Sequence, residues 1–426
     1  MKHKQFTLPN GIKCLFISNR HLDITSIDIS CKVGSKHENK NNYGISHLLE
    51  HMFFKGTPKY KNNKTLTSEI ESLGGIMNAN TSQNKTTFVI KIHSKYTKKS
   101  IDILSDMLLH SSFKKTDLKY EQNITIAELN KYIDDPNYIL MEMFNTSIFE
   151  NTPLENLPIG TIETINNTTR SSLLNYKNKY YTADNIFITI TSNLSFVRIQ
   201  HMLLQSEFAK FKSSELKKNT PFLYSNPSNY TLHVKYRNIE QDKIVLGFPV
   251  CDIHHKDKYV LDCISTLLTR GLSSILFIEL REKNSLVYDI SSSTDLYNDI
   301  GIFTIYTGTS SSKVIDYTEH ETNLNMTSLV ETFFRTPNKK LKKGVLPIIL
   351  DVIVSLTKKK ITLEQLKAVK NTIKSTLLFG TEDYDTITDY YSKQLLFNSE
   401  NITSIKRLHT IYDKITPDDI LRVSKQ

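Results

Sequence analysis

Along the first half of the chain the apolar positions switch repeatedly between a period of two and a period near 3.6, the alternation of strands with helices. LPNGIKCLFIS turns at Asn10-Gly11 and continues as a strand, and ITSIDISCKV alternates as a half-buried strand does. Gly44 to Phe54 reads as a helix stopping at Lys55-Gly56, with Pro58 just beyond. A second helix, Leu66 to Leu73, ends at Gly74-Gly75, and the strands IMNANTS and KTTFVIKIH follow. Helical periodicity then runs from about 101 to 149, broken near Ser111-Ser112 and again at Asp135-Pro136. A helix near Ser171 to Tyr181, the strand NIFITIT and a helix after Ser195 complete this half.

A stretch rich in Lys, Ser, Asn and Pro follows, and the pattern then restarts. The second half predicts strands YTLHVKY and KIVLGFPV, helices from about Lys256 to Lys283, strands LVYDISSS and GIFTIYTG, and helices from Val345 onward. The expectation is an α/β (α+β) chain with two domains of duplicated architecture, each a mixed or antiparallel β-sheet covered by helices. The N-terminal domain spans 1–212, the linker 213–228 and the C-terminal domain 229–426. No residue-level repeat accompanies the duplication; it is read from element order alone.

Composition narrows the class. At 39% hydrophobic and 23% charged residues the chain is globular, and no apolar run is long enough to span a bilayer. The N-terminus MKHKQFTLPNGIKCLF shows no secretory h-region and no Arg/Ser-rich presequence, which reads as cytosolic. Cys14, Cys31, Cys251 and Cys263 lie far apart without a CxxC spacing and read as reduced thiols. The formal charge of +10 comes from lysines spread along the chain and not interleaved with aromatic residues, so no nucleic-acid platform is expected.

The chemistry concentrates in GISHLLEHMFFKG. His47 and His51 are one helical turn apart, so their rings stack on a single face and can share one Zn²⁺. Glu50 lies within reach of a water on such an ion, in the reverse order of H-E-x-x-H. By itself this pentad is equally compatible with ordinary polar residues on a helix. A hydrolytic zinc site needs a third protein ligand and an open fourth position. In TDLKYEQNITIAELNKYIDDP, Glu121 and Glu128 fall two turns apart on one helix face, and so do many solvated glutamates. Sixty-nine residues separate His51 from Glu121, and six separate Glu121 from Glu128.

This arrangement resembles the pitrilysin/insulinase metallopeptidases, the inverzincins, in the short-chain branch that includes the mitochondrial processing peptidase β subunit and bacterial processing proteases. GISHLLEHMFFKGTPKY, SLGGIMNANTSQNKTTFV, AELNKYIDDP, LPIGTIETI, YYTADNIFITITSNL and LSSILFIELREKNSLVY all fall in that family's order. The resemblance implies a zinc endopeptidase acting on extended peptides or unfolded, presequence-like segments. It makes His47, His51 and Glu128 the ligands of one Zn²⁺ per chain, Glu50 the general base, and Glu121 the carboxylate that orients a ligand histidine. It further implies that Asn78 and Ala79 lie on the edge strand that receives substrate backbone. Arg281 would hold substrate carbonyls and Tyr288 would donate to the oxyanion. The two domains would form half of a clamshell chamber, completed by a homodimer or by a heterodimer with a related subunit, without nucleic acid and without membrane insertion. A catalytically inactive scaffold subunit is the alternative; such members typically lose ligands or the base, and here all four are present.

Three departures stand out against that family. An insertion occupies about 310–344, the Gly-rich turn before LSSILF shrinks to Thr269-Arg270-Gly271, and the chain stops at Gln426 where relatives continue into a further strand. That last difference leads to the expectation of an unpaired sheet edge or of an edge that serves an oligomeric contact.

Overall fold

The computed structural model describes residues 2–214, 232–315 and 344–426. The expected linker and the insertion fall largely outside them. Two compact units are present, and neither follows the chain without interruption. One draws its described residues from Met1–Asp134, Phe149–Thr220 and Leu378–Ile405; the other draws on Asp135–Ile148, Pro221–Leu377 and Lys406–Gln426.

The first unit is built on a six-stranded sheet. Its strands are β1 (Lys2–Thr7), β2 (Lys13–Ser18), β3 (Ile24–Cys31), β4 (Ile76–Thr81), β5 (Thr86–His93) and β6 (Ile186–Ser192). Their order across the sheet is β1-β2-β6-β3-β5-β4. Only β2 and β6 pair in parallel, so the sheet is mixed and β4 is an edge. Period-two geometry sends successive side chains of β2 to opposite faces. Cys14 and Phe16 join the main core with α1 (Ile45–Phe53), α2 (Asn63–Glu71) and α3 (Thr97–His110). Leu15 and Ile17 point the other way, onto Ile387, Tyr391 and Leu395 of the helix Tyr384–Asn398. Burial on both faces explains why the middle of β2, Cys14 to Ile17, is apolar throughout. The second contact is also pinned by polar groups: Ser30 and Ser392 each donate to the buried Asp28 carboxylate at 2.7 Å, and Thr388 donates to Thr191 at 2.7 Å.

Helical periodicity between 101 and 149 resolves into α3, α4 (Lys115–Asp134) and α5 (Pro136–Ile148), with breaks where the sequence places them. A proline is acceptable in a first helical turn and unacceptable in an interior, so Pro136 separates α4 from α5. The break has a consequence that periodicity does not show. α4 packs on α1 in the first unit, whereas α5 packs on a strand of the second.

The second unit carries an antiparallel sheet of β7 (Asp242–Val250), β8 (Ile290–Leu296) and β9 (Gly301–Thr309), ordered β7-β9-β8. α5 approaches β7 so closely that a Cβ at Gly247 would lie 2.3 Å from the Phe144 ring. The helix Lys258–Thr269 packs on β8.

Two sequence expectations need correction here. Residues 232–236 of YTLHVKY do not form a strand: of its alternating apolar positions only Leu232 packs on a core, while Val234 and Tyr236 stay exposed, too little burial to offset the cost of ordering. LVYDISSS begins as a turn, and the strand starts only at Ile290. Ser285 sits at φ 49°, the Leu286 N–H bonds to Leu280 O, and the Tyr288 carbonyl accepts from Arg281, so these backbone groups are already committed.

Candidate metal centre

α1 starts at Gly44, whose φ of 87° and close approach to the Ile159 carbonyl (2.6 Å from a built Cβ) leave room only for glycine. The first N–H groups of any helix lack intrahelical partners. Here a carboxylate from outside the helix takes two of them: Glu38 accepts from Gly44 N at 2.7 Å and from Ser46 N at 2.8 Å. Burial pushes the Glu38 carboxyl up to about 7, against the pull of those hydrogen bonds. Leu48, Leu49, Met52 and Phe53 then bury one side of α1 in the core. His47, Glu50 and His51 project from the rest of the helix, in the direction of α4 and of the end of β4.

Three ligand atoms converge. His47 Nε2 and His51 Nε2 lie 3.9 and 3.7 Å from Glu128 Oε2, and the two rings are 4.6 Å apart at 64°. These separations are too long for hydrogen bonds. They are close to the roughly 3.4 Å that two ligands about 2.05 Å from a tetrahedral ion would span. His47, His51 and Glu128 are the group that the described residues offer as a metal-binding set. Burial, with the neighbouring His51, lowers the His47 imidazole to about 4, so it is neutral and a competent ligand at physiological pH. His51 is shifted the other way: burial disfavours its charge, but Glu121, Glu50 and Glu128 together outweigh burial and raise it. Two imidazoles, His51 giving up its Nε2 proton on metal binding, and a carboxylate fit a divalent zinc with one open position.

The surroundings fix these groups in place. His51 Nδ1 lies 3.0 Å from Glu121 Oε2, which leaves Nε2 to face Glu128. Burial raises the Glu121 carboxyl, but the His51 and Lys55 hydrogen bonds outweigh burial and hold it below the usual carboxylate range. The other Glu121 oxygen is ion-paired with Lys55. Tyr132 donates to Glu128 Oε1 at 3.2 Å. Glu50 is buried, and Thr81, the last residue of β4, donates to its Oε2 at 2.5 Å. Burial raises Glu50; the Thr81 bond and His51 oppose this, and Glu128 adds to it.

Each predicted site residue can now be placed. His47, Glu50, His51, Glu121 and Glu128 come together on α1 and α4. Asn78 is exposed on the edge strand β4, and its Oδ1 accepts from the Ala79 N–H at 2.9 Å, so a group that an added strand would use is already capped. Arg281 and Tyr288 belong to the second unit and meet each other there. The guanidinium carbon lies 4.8 Å from the Tyr288 ring and 4.9 Å from Phe277, and Nη1 donates to the Tyr288 carbonyl at 2.8 Å. Arg281 lies in a π-helical turn, Ile278–Glu282, a geometry found often at functional sites. Sequence reading missed Glu38, Lys55, Thr81 and Tyr132. Of these only Tyr132 carried a usable signal, four residues after Glu128 on the same helix face.

Known proteins similar to this chain fall in one family. Residues 13–162 match the family described as Insulinase (Peptidase family M16), and residues 167–345 match the Peptidase M16 inactive domain. An uncharacterized zinc protease of Bacillus subtilis (strain 168) is 31% identical over 319 residues, covering 74% of this chain and 76% of the relative. The mitochondrial-processing peptidase subunit beta of Dictyostelium discoideum is 27% identical, covering 70% of this chain and 66% of that protein. Among solved structures, a protease from Helicobacter pylori superposes with a TM-score of 0.85 at 22% identity, over 99% of this chain and 95% of that one. The chain therefore belongs to peptidase family M16, the insulinase family.

Proposed function

We propose that the protein is a zinc-dependent endopeptidase that hydrolyses peptide bonds in extended peptides or unfolded, presequence-like segments. The observation that carries this reading is the convergence of His47, His51 and Glu128 beside the buried carboxylate of Glu50. His47, His51 and Glu128 would hold one Zn²⁺, with Glu121 fixing the His51 ring. A zinc ion there supplies Lewis acidity, which lowers the pKa of water from about 15.7 to near 7 and polarises a carbonyl.

The chain's own groups carry the proton. Glu50, held by Thr81, takes it from the attacking water and passes it to the departing amine. A carboxyl raised by burial suits both halves of that transfer, since its basicity is closer to neutral pH. Asn78 and Ala79 on the β4 edge would bind substrate as an added strand, with the Asn78 side chain giving up the Ala79 N–H. Arg281 is assigned to substrate carbonyls and Tyr288 to the developing oxyanion. Their mutual stacking supports that assignment, because it fixes the guanidinium before substrate arrives. Kinship to a subunit named as part of a processing peptidase supports function as a homodimer or with a related subunit. Among the described residues no helix is long and apolar enough to cross a membrane.

The test is digestion of a mixed library of unstructured peptides. Cleavage should be abolished by a chelator and restored by stoichiometric zinc; zinc-loaded protein that cuts nothing, alone or with a co-purified partner, contradicts the reading.

A further inference from the structure

Lys55 follows directly on the helix that carries the histidines and makes no contact with the three ligand atoms. Its surroundings are nonetheless tightly arranged. The backbone here is pinned on several sides: Lys55 N bonds to Met52 O at 3.2 Å, Ser112 N to Gly56 O at 3.0 Å, and Thr57 N to Tyr60 O at 2.7 Å. The Thr57 hydroxyl adds a 2.6 Å bond to Asp106. From this fixed turn the Lys55 side chain, only 17% exposed, reaches Glu121 Oε1, with its ammonium 5.8 Å from the Tyr120 ring centre.

Glu121 explains why a cation is needed. Its side chain is 3% exposed, and a carboxylate removed from water so completely is tolerated only when paired and hydrogen-bonded. One oxygen receives the His51 Nδ1–H. Without Lys55 the other would have no charged partner, and the carboxylate would be free to rotate about its last torsion. Metal-binding histidines depend on the group that takes their second nitrogen. A carboxylate clamped on its far side holds the imidazole in one orientation, with Nε2 toward Glu128.

We propose that Lys55 is a positioning residue for the metal centre, acting on His51 through Glu121. This inference rests on the zinc reading above and goes beyond it, since it concerns how the protein itself preorganises a ligand histidine. It predicts that the Lys55–Glu121–His51 chain behaves as one unit.

The experiment is a zinc affinity measurement on full-length, metal-stripped protein, by competition with a chromophoric chelator, alongside thermal unfolding of each metal-free variant. Lys55→Met should weaken zinc binding about tenfold, and Glu121→Gln by about 10- to 100-fold. Lys55→Arg should restore most of the loss. Lys55→Met should cost nothing further in a Glu121→Gln background. If Lys55→Met fails to fold, Lys55→Gln is read in its place. A folded Lys55→Met or Lys55→Gln variant that binds zinc as tightly as wild type overturns the inference and leaves the peptidase reading standing, as do penalties that add fully with Glu121→Gln. A wild-type protein that binds no zinc overturns both.

Discussion

The two units repeat one plan and differ in their chemistry. In the first, a strand leads through α1 and α2 to a pair of strands, giving the sheet order β3-β5-β4; in the second, the same succession gives β7-β9-β8. Each leading helix, α1 and Lys258–Thr269, carries one carboxylate that accepts a hydrogen bond from another element. Glu50 receives a hydrogen bond from Thr81, and Asp262 receives one from Tyr412 at 2.6 Å. Burial raises both carboxyls. The direction of the shift does not tell them apart. What separates them is company: beside Glu50 stand two histidines and Glu128, whereas Asp262 has a phenol and a nearby lysine, Lys258. A perturbed carboxylate marks a site only when its neighbours can hold something for it to act on.

The comparison can be pressed at two points. The larger effect is expected at the start of α1, where Glu38 titrates near 7 folded against an ordinary value of 4.5. Between those values the folded state keeps a proton that the unfolded state has lost, so stability falls as pH rises through that window. Metal-free wild type should lose up to about 3 kcal/mol between pH 4.5 and 8 from this group, and Glu38→Gln should not. Urea melts of both proteins at several pH values check this; parallel curves contradict it. A smaller effect is expected in the second unit. Tyr412→Phe removes the Asp262 donor and should cost about 1–2 kcal/mol of stability, with zinc affinity and peptide cleavage unchanged.

The sequence exposes what local geometry encodes. The helix breaks at Ser111-Ser112 and Asp135-Pro136 and the one-turn spacing of His47 and His51 are properties of short segments. Glu128 was legible only through resemblance, because nothing in a helix records which distant helix it will meet. Lys55 and Thr81 were invisible for the same reason: each is an ordinary residue whose partner is 66 or 31 positions away. The late start of β8 depends on Ser285 and on backbone groups spent on Leu280 and Arg281, which an alternating pattern cannot show. Nor does periodicity reveal that α5 and Tyr384–Asn398 each pack in the unit that holds the other half of the chain, since an amphipathic face fits either sheet.

The most direct measurement sets the Glu50 and Asp262 carboxylates against each other. A mixed peptide library is digested with wild type, Glu50→Gln and Asp262→Asn, each loaded with stoichiometric zinc, and the products are read by mass spectrometry. The account predicts that Glu50→Gln lowers the cleavage rate by about 10²- to 10⁴-fold while still binding zinc, and that Asp262→Asn cuts at the wild-type rate and sites. Cleavage by Glu50→Gln at the wild-type rate would contradict it.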